Sequence, residues 1–369
     1  MSGTDPGSDS DSGFAFDVFE DGFDARDWDT GPTGTVRLAV VGLGWFARDE
    51  ALPSLPACDY VDATATVSGS KEKARAVAEE ADADVALTYE EFHEGVHADA
   101  YDAVYVATPN ALHLPHVEAA ADLGKHVIVE KPLEASADRA AAVVDACESA
   151  GVTLMTAYRL QTHPLHRRLR DLLADGFVGD VAQVEGAFTF PMLAGGGDPD
   201  QWRLDADLAG GGSLYDVGVY PLNTTRFLLD RDPVAVRGTL SSPHEGFEGV
   251  DEHAAFVLEF EDGAQAVCRS SYGAYGENAT TVAGDEGSIR VEDAYGHLTD
   301  RTVVLERDGR TVRHEDLYAN ELTEQFDYFA HAVLTDATPE PDGADGRFDV
   351  RVLEAVRESA ASGGRVELR

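Results

Sequence analysis

The sequence predicts an α/β chain: an N-terminal Rossmann domain with a doubly wound parallel sheet, then a C-terminal α/β domain with an open, mostly antiparallel sheet. Three observations lead there. Short β-branched runs alternate with helical segments from Thr35 to residue 157, which is the pattern of βαβ units. A glycine-rich turn separates the first such run from the first helix. Beyond residue 230, apolar-alternating runs follow one another through turns such as Glu261-Asp262-Gly263, which implies antiparallel pairing.

Taken in order, residues 1–34 form an acidic tail and arm. A Gly/Ser/Asp part is expected to be disordered, and an aromatic stretch (Phe14, Phe16, Phe19, Phe23, Trp28) is expected to pack on the body. Residues 35–157 carry predicted strands at 36–41, 62–67, 101–107, 125–129 and 152–157, with helices at 45–55, 71–81, 113–123 and 136–150. Residues 158–369 begin with a helix at 164–175, a strand at 180–190 and a helix over 213–229. Strands at 234–240, 254–260, 264–271, 278–283, 288–292 and 302–306 follow, and helices at 320–335 and 349–362 close the chain.

Composition narrows the function. Twenty-eight basic against 69 acidic residues give a net charge of −41, a field that repels nucleic acid and anionic membrane. Only four residues are lysine (Lys71, Lys73, Lys125, Lys131); abundant carboxylates with scarce lysine suit a protein kept soluble in concentrated salt, which screens the self-repulsion. The apolar runs are too short for a membrane span, the N-terminus lacks the features of a secretory signal, and Cys58, Cys147 and Cys268 have no paired spacing. A reducing, cytoplasmic setting is expected.

Val40-Val41-Gly42-Leu43-Gly44-Trp45-Phe46-Ala47 runs from strand into helix. Gly42 permits the tight turn, Gly44 lets backbone approach a pyrophosphate, and Ala47 is small enough for close helix–strand packing. The next strand ends Val67-Ser68-Gly69-Ser70-Lys71, with Lys73 close behind. A carboxylate here would take a ribose 2′-hydroxyl and repel a 2′-phosphate, whereas Ser68, Gly69 and Lys73 present donors; NADP is therefore the expected cofactor.

The later strand ends read Thr108-Pro109-Asn110 through His113, and Glu130-Lys131-Pro132. In a doubly wound sheet these carboxyl ends line the ligand crevice. A chain that elsewhere prefers arginine keeps a lysine at 131, where a compact ammonium favours an ionised phenol or sugar oxygen; the alternative is an ion pair with Glu130 or another carboxylate. Gly210-Gly211-Gly212 leads into a helix that Ser213 can cap, with Asp216 and Tyr220 four apart and so on one face. Tyr220 can move a proton beside a cation such as Lys131. Asp216 orients a substrate hydroxyl or holds Lys131.

With the Gly42/Gly44/Ala47 loop, Glu130-Lys131-Pro132 and the Asp216…Tyr220 segment in place, residues 35–369 resemble the glucose–fructose oxidoreductase and inositol dehydrogenase superfamily. Many members carry His at position 220 and Asp at 223. Tyr220 and Asn223 depart from this and, with Tyr158-Arg159 and Gln201-Trp202-Arg203-Leu204, resemble its glucose–fructose oxidoreductase and dihydrodiol dehydrogenase branch. The resemblance implies NADP-dependent oxidation of an aldopyranose, D-xylose first, at the anomeric carbon to the aldonolactone. Tyr220, with Lys131 beside it, would take the anomeric proton. Arg159, Asp216 and Asn223 would join them at the sugar. Leu43, Trp45, Phe46, Thr108, Pro109, Asn110, His113 and Glu130 would border the cofactor, and Trp202 and Arg203 would close over it. A homo-oligomer formed through the C-terminal sheet is also implied.

His93/His97 and His113/His116 have the spacing of metal pairs but lack a third ligand, so no metal is expected. Two rival functions stand beside the dehydrogenase: a sugar–sugar oxidoreductase that keeps its NADP bound, and a nucleotide sensor, against which the retained Lys131, Asp216 and Tyr220 argue.

Overall fold

The computed structural model describes residues 16–368 apart from 21, 24, 25 and 29. The expected disorder of the extreme N-terminus, and Phe14, lie outside those residues. The first sheet contains β1 (Val36–Val41), β2 (Val61–Ser68), β3 (Val85–Thr88), β4 (Ala103–Val106), β5 (His126–Val129) and β6 (Leu154–Thr156), in the order β3-β2-β1-β4-β5-β6. All its pairings are parallel. Side chains alternate between two cores: Leu38, Val40 and Ile128 enter one, Ala39, Val41, Val127 and Val129 the other. Burial on both faces explains why these strands read as unbroken apolar runs. The sequence reading passed over β3, a four-residue strand of the form Val-Ala-Leu-Thr.

Packing also crosses residue 157. The helix Glu321–Thr335 returns to the first sheet and buries Leu322, Phe326 and Phe329 in the Leu38/Val40 core, each worth about 1.5–3 kcal/mol of removed apolar surface. The arm packs as turns, with Phe16 and Phe19 buried in the core of the second domain. Arg26 pairs with Glu324 and Asp327 across more than 290 residues of sequence.

The second sheet contains β7 (Val181–Thr189), β8 (Ala235–Ser241), β9 (His253–Glu259), β10 (Gln265–Ser271), β11 (Asn278–Gly284), β12 (Gly287–Glu292), β13 (Arg301–Arg307), β14 (Arg310–Leu317) and β15 (Val366–Glu367). Its order is β14-β13-β12-β11-β7-β10-β9-β8-β15, antiparallel except where β7 and β10 run parallel. One face packs on the helices Pro164–Ala174, Val219–Leu229 and Gly343–Ser362. The alternating burial of β10 shows the other face open, with Val267 40% exposed.

Two local expectations fail. The predicted helix over 213–229 is broken into Ser213–Asp216 and Val219–Leu229, with Val217 and Gly218 at the break; Gly218 lies so close to Leu214 that a Cβ would not fit. Ser213 does not cap it: Gly212 stands at the N-cap, and the Ser213 hydroxyl is spent on Asp251 and Ser270.

Candidate active site

The carboxyl ends of β1, β4, β5 and β6 open on a cavity of about 990 Å3, closed on the far side by the end of β7 and the Asp216–Tyr220 segment. Gly42 adopts φ +91°, and a Cβ there would fall 2.7 Å from the Ala107 carbonyl, so only glycine permits β1 and β4 to approach this closely. Gly44 has nothing within 4 Å of its Cβ position and faces the cavity. Ala47 is buried beneath. It opens a π-helical turn, Ala47–Ala51, an element frequent at functional sites.

Lys131 lies at the centre. Its Nζ donates to the Asp216 carbonyl at 3.0 Å, stands 3.6 Å from Asp216 Oδ1, and sits 4.7 Å from the centroid of the Tyr220 ring. Burial works to lower its pKa, yet Tyr220, Asp216 and Glu130 together hold it above the ordinary lysine value, so it is a cation at neutral pH. Glu130 accepts from the Tyr105 hydroxyl at 2.6 Å and from the Lys131 N–H at 3.3 Å. Arg159 donates to Tyr220 Oη at 3.2 Å and lies 5.0 Å from its ring, giving the phenol a second cation. Buried Glu321 grips Arg159 and also accepts from Arg301 at 3.0 Å.

Asp216 gathers the remaining contacts. Arg203 Nε lies 3.3 Å from Oδ1, and the Tyr272 hydroxyl donates to Oδ2 at 3.0 Å. Burial pushes this carboxyl up, but Arg203, Lys131 and Tyr272 outweigh it and hold it below the usual aspartate value. Position 212 requires glycine: a Cβ there would fall 2.1 Å from the Asp251 carbonyl oxygen. Asp251 also accepts from the Gly212 and Leu214 N–H groups at 2.8 and 2.7 Å, anchoring this turn.

The structure brings together Gly44, Trp45, Phe46, Thr108, Asn110, Glu130, Lys131, Arg159, Trp202, Arg203, Asp216 and Tyr220 around the one cavity. Gly42, Leu43 and Pro109 stand beside it in the same turns, outside the lining. Ser68, Gly69 and Lys73 lie at the end of β2, also outside the lining. Lys71 is tied to Glu91 and to the Ala86 carbonyl, whereas Lys73 is exposed with no ion-pair partner among the described residues.

Two residues stand elsewhere than expected. Asn223 does not reach the cavity; it is buried, accepting from Gln161 at 3.0 Å and donating to Asp349 at 2.8 Å, one helical turn past Tyr220 and away from the opening. His113 is wholly buried, its ring nitrogens each 3.0 Å from the Leu133 and Thr108 carbonyls, and so braces the β4 and β5 loops from behind. The sequence reading missed Phe188, Phe190, Met192, Tyr295 and His297, which line the cavity, and Tyr105, Tyr272 and Glu321, which hold its polar groups. Only Phe188, near the end of β7, and Phe190 just past it, alternating in the sequence, left a signal. Of the two histidine pairs noted for their spacing, His93 of one contacts His116 of the other at 3.0 Å.

Residues 36–158 match a family model described as an oxidoreductase family with an NAD-binding Rossmann fold, and residues 166–290 match the GFO/IDH/MocA C-terminal domain. The chain belongs to the GFO/IDH/MocA oxidoreductase family. Within it, the chain is 46% identical to D-xylose 1-dehydrogenase [NADP(+)] of Haloarcula marismortui, over 95% of this chain and 99% of that one. It is 36% identical to D-xylose 1-dehydrogenase (NADP(+)) 2 of Haloferax volcanii, over 90% and 99%. Among solved structures, the aldose–aldose oxidoreductase of Caulobacter crescentus complexed with glycerol superposes with a TM-score of 0.85 at 33% identity, covering 90% of this chain and 100% of that one. A GFO/IDH/MocA member with this site is an NAD(P)-dependent oxidoreductase.

Proposed function

We propose that the protein oxidises an aldopyranose, D-xylose first, at its anomeric carbon with NADP, yielding the aldonolactone. The observation that carries this reading is Tyr220, flanked by Lys131 and Arg159 in the cavity that begins at the Gly44 turn. The names of the two haloarchaeal relatives support the substrate and the cofactor.

The residues fit a dinucleotide. The open space over Gly44 and the helical amides that follow it form a cradle for phosphates and ribose, with the buried Thr108 hydroxyl beside it lacking a hydrogen-bond partner. Bound there, the nicotinamide supplies the hydride acceptor. Tyr220, acting as the phenolate, takes the proton of the anomeric hydroxyl at Oη while the C–H bond at that carbon gives up its hydride to the bound nicotinamide, leaving the lactone carbonyl. Lys131 and Arg159 stabilise the phenolate and the negative charge that develops on the sugar oxygen as its proton leaves. Asp216, held by Arg203 and Tyr272, keeps the Lys131 ammonium aimed at Tyr220. Phe188, Phe190 and Met192 give the sugar an apolar wall. Exposed Lys73 and buried Ser68 would receive the 2′-phosphate.

A panel of aldoses in concentrated salt, followed by NADPH absorbance, tests this reading. D-xylose is expected to give the highest kcat/KM, and no absorbance with any aldose overturns it. Likeness to the aldose–aldose oxidoreductase favours a second reading, in which NADP stays bound and shuttles hydride between two sugars. Product sugar acid without free NADPH would select it.

The salt-adapted surface belongs to the same proposal and rests on the −41 charge. So does a homo-oligomer paired through the open face of the second sheet. No helix among the described residues is long and apolar enough to cross a membrane; a cytoplasmic setting is part of the proposal.

A further inference from the structure

Away from the cavity, the turn before β9 brings His244, Glu252 and His253 together, their donor atoms all within 4.8 Å of one another. The Glu252 side chain is only 1% exposed, and a carboxylate so buried needs a cationic partner. His244 Nδ1 stands 2.8 Å from its Oε1, and His253 Nε2 stands 3.3 Å from the same oxygen. The His253 ring is oriented by Ser271, whose Oγ lies 2.7 Å from Nδ1, so that Nε2 is the atom turned to Glu252. Gly273 makes the room: a Cβ there would fall 2.0 Å from Glu252 Oε1 and 3.0 Å from His253 Cε1.

We propose that His244, Glu252 and His253 bind a divalent transition cation of the zinc type. Two imidazoles and a carboxylate are the nitrogen and oxygen donors such an ion takes. Around a tetrahedral ion with ligands at about 2.0–2.1 Å, donor atoms stand roughly 3.3 Å apart, the spacing that His253 Nε2 and Glu252 already have. His244, whose side chain is 69% exposed, is the ligand free to adjust, and its side of the cluster gives the ion and a completing water their entry. The sequence reading weighed only histidine pairs close in sequence and expected no metal; this cluster pairs residues eight and nine apart across a turn. The ion would brace that turn directly behind Asp251, which anchors the Gly212 and Leu214 amides ahead of Asp216. Its role is structural, because none of the three ligands lines the cavity.

Full-length protein stripped with a chelator is titrated with ZnCl2 by calorimetry and with CoCl2 by visible absorption. One equivalent is expected to bind, to raise Tm, and to bind more weakly on acidification, since protons compete for the imidazoles. H253A is expected to weaken binding about tenfold or more, and H244A/H253A to abolish the Co2+ band. H244A alone, at an exposed position, keeps the fold and gives the same direction of change if the double variant unfolds. Sugar oxidation by H244A stays at the wild-type level. No uptake of zinc by the wild-type protein overturns the proposal, as does uptake unchanged in H244A and H253A, which would place the ion at other histidines.

Discussion

Replacing Lys131 with Met removes one cation from the Tyr220 ring while keeping a chain of similar length. The ammonium stands 4.7 Å from the ring centroid. With an effective dielectric of about 20, a unit charge at that distance stabilises a developing negative charge by about 3.5 kcal/mol. Arg159 remains 5.0 Å from the same ring and donates to its hydroxyl, so that figure is a ceiling. The expected loss is about 30- to 300-fold in kcat, inside that ceiling, with NADP affinity unchanged. The assay is initial-rate NADPH absorbance over a D-xylose series, beside nucleotide binding followed through the fluorescence of Trp45 and Trp202, which line the cavity. An attraction acting only as charge develops appears in kcat. A K131M variant whose whole defect lies in KM, or whose kcat falls less than about fivefold, would refute the reasoning, since Lys131 would then hold the sugar without assisting proton transfer.

Tyr272→Phe deletes the donor to Asp216 Oδ2 but leaves Arg203 and Lys131 in place; kcat is expected to drop roughly tenfold, the value of one hydrogen bond to a charged acceptor, with an unaltered melting curve as control. Lys73→Glu sets a carboxylate where the 2′-phosphate is proposed to lie, and the ratio of NADP to NAD efficiencies is expected to fall roughly tenfold or more; an unchanged ratio removes Lys73 from the cofactor argument. Burial, with His93 and His113 nearby, lowers the His116 pKa to about 4. The folded protein thus refuses a proton that the unfolded chain accepts near 6.5. Stability is complete above about pH 6.5 and is lost as pH falls toward 4, by about 3 kcal/mol from this residue. His116→Gln is expected to flatten that part of a urea-unfolding profile against pH, and an identical slope would show that His116 does not contribute.

Much of the fold was legible because it is written in local patterns. Continuous apolar runs marked strands buried on both faces, and Gly42, Gly44 and Ala47 announced the turn that begins the cavity. Lys131 stood out as a lysine just past a strand in a chain with only four. These features depend on neighbours within a few residues, and so a linear reading finds them. The short strands β3 and β15 were lost because their partners β2 and β8 lie outside any local window. The eight-residue β14, paired with β13 across a two-residue turn, was passed over because its largely polar run lacks a clear apolar alternation.

The surroundings of Tyr220 are of the other kind. Arg159 meets Tyr220 across 61 residues of sequence, Lys131 meets the Asp216 carbonyl across 85, and Tyr272 meets Asp216 across 56. Helical spacing put Asp216 and Tyr220 on one face, whereas two short helices and the Asp251 anchor set their actual positions. The same helix turns Asn223 away from the cavity and into contact with Asp349. The sequence by itself determined the Rossmann sheet, the nucleotide turn and the identity of the central cation. Tertiary structure alone decided which groups surround Tyr220, because the partners of a buried charge are chosen by how two sheets and their returning helices pack, and no local spacing encodes that.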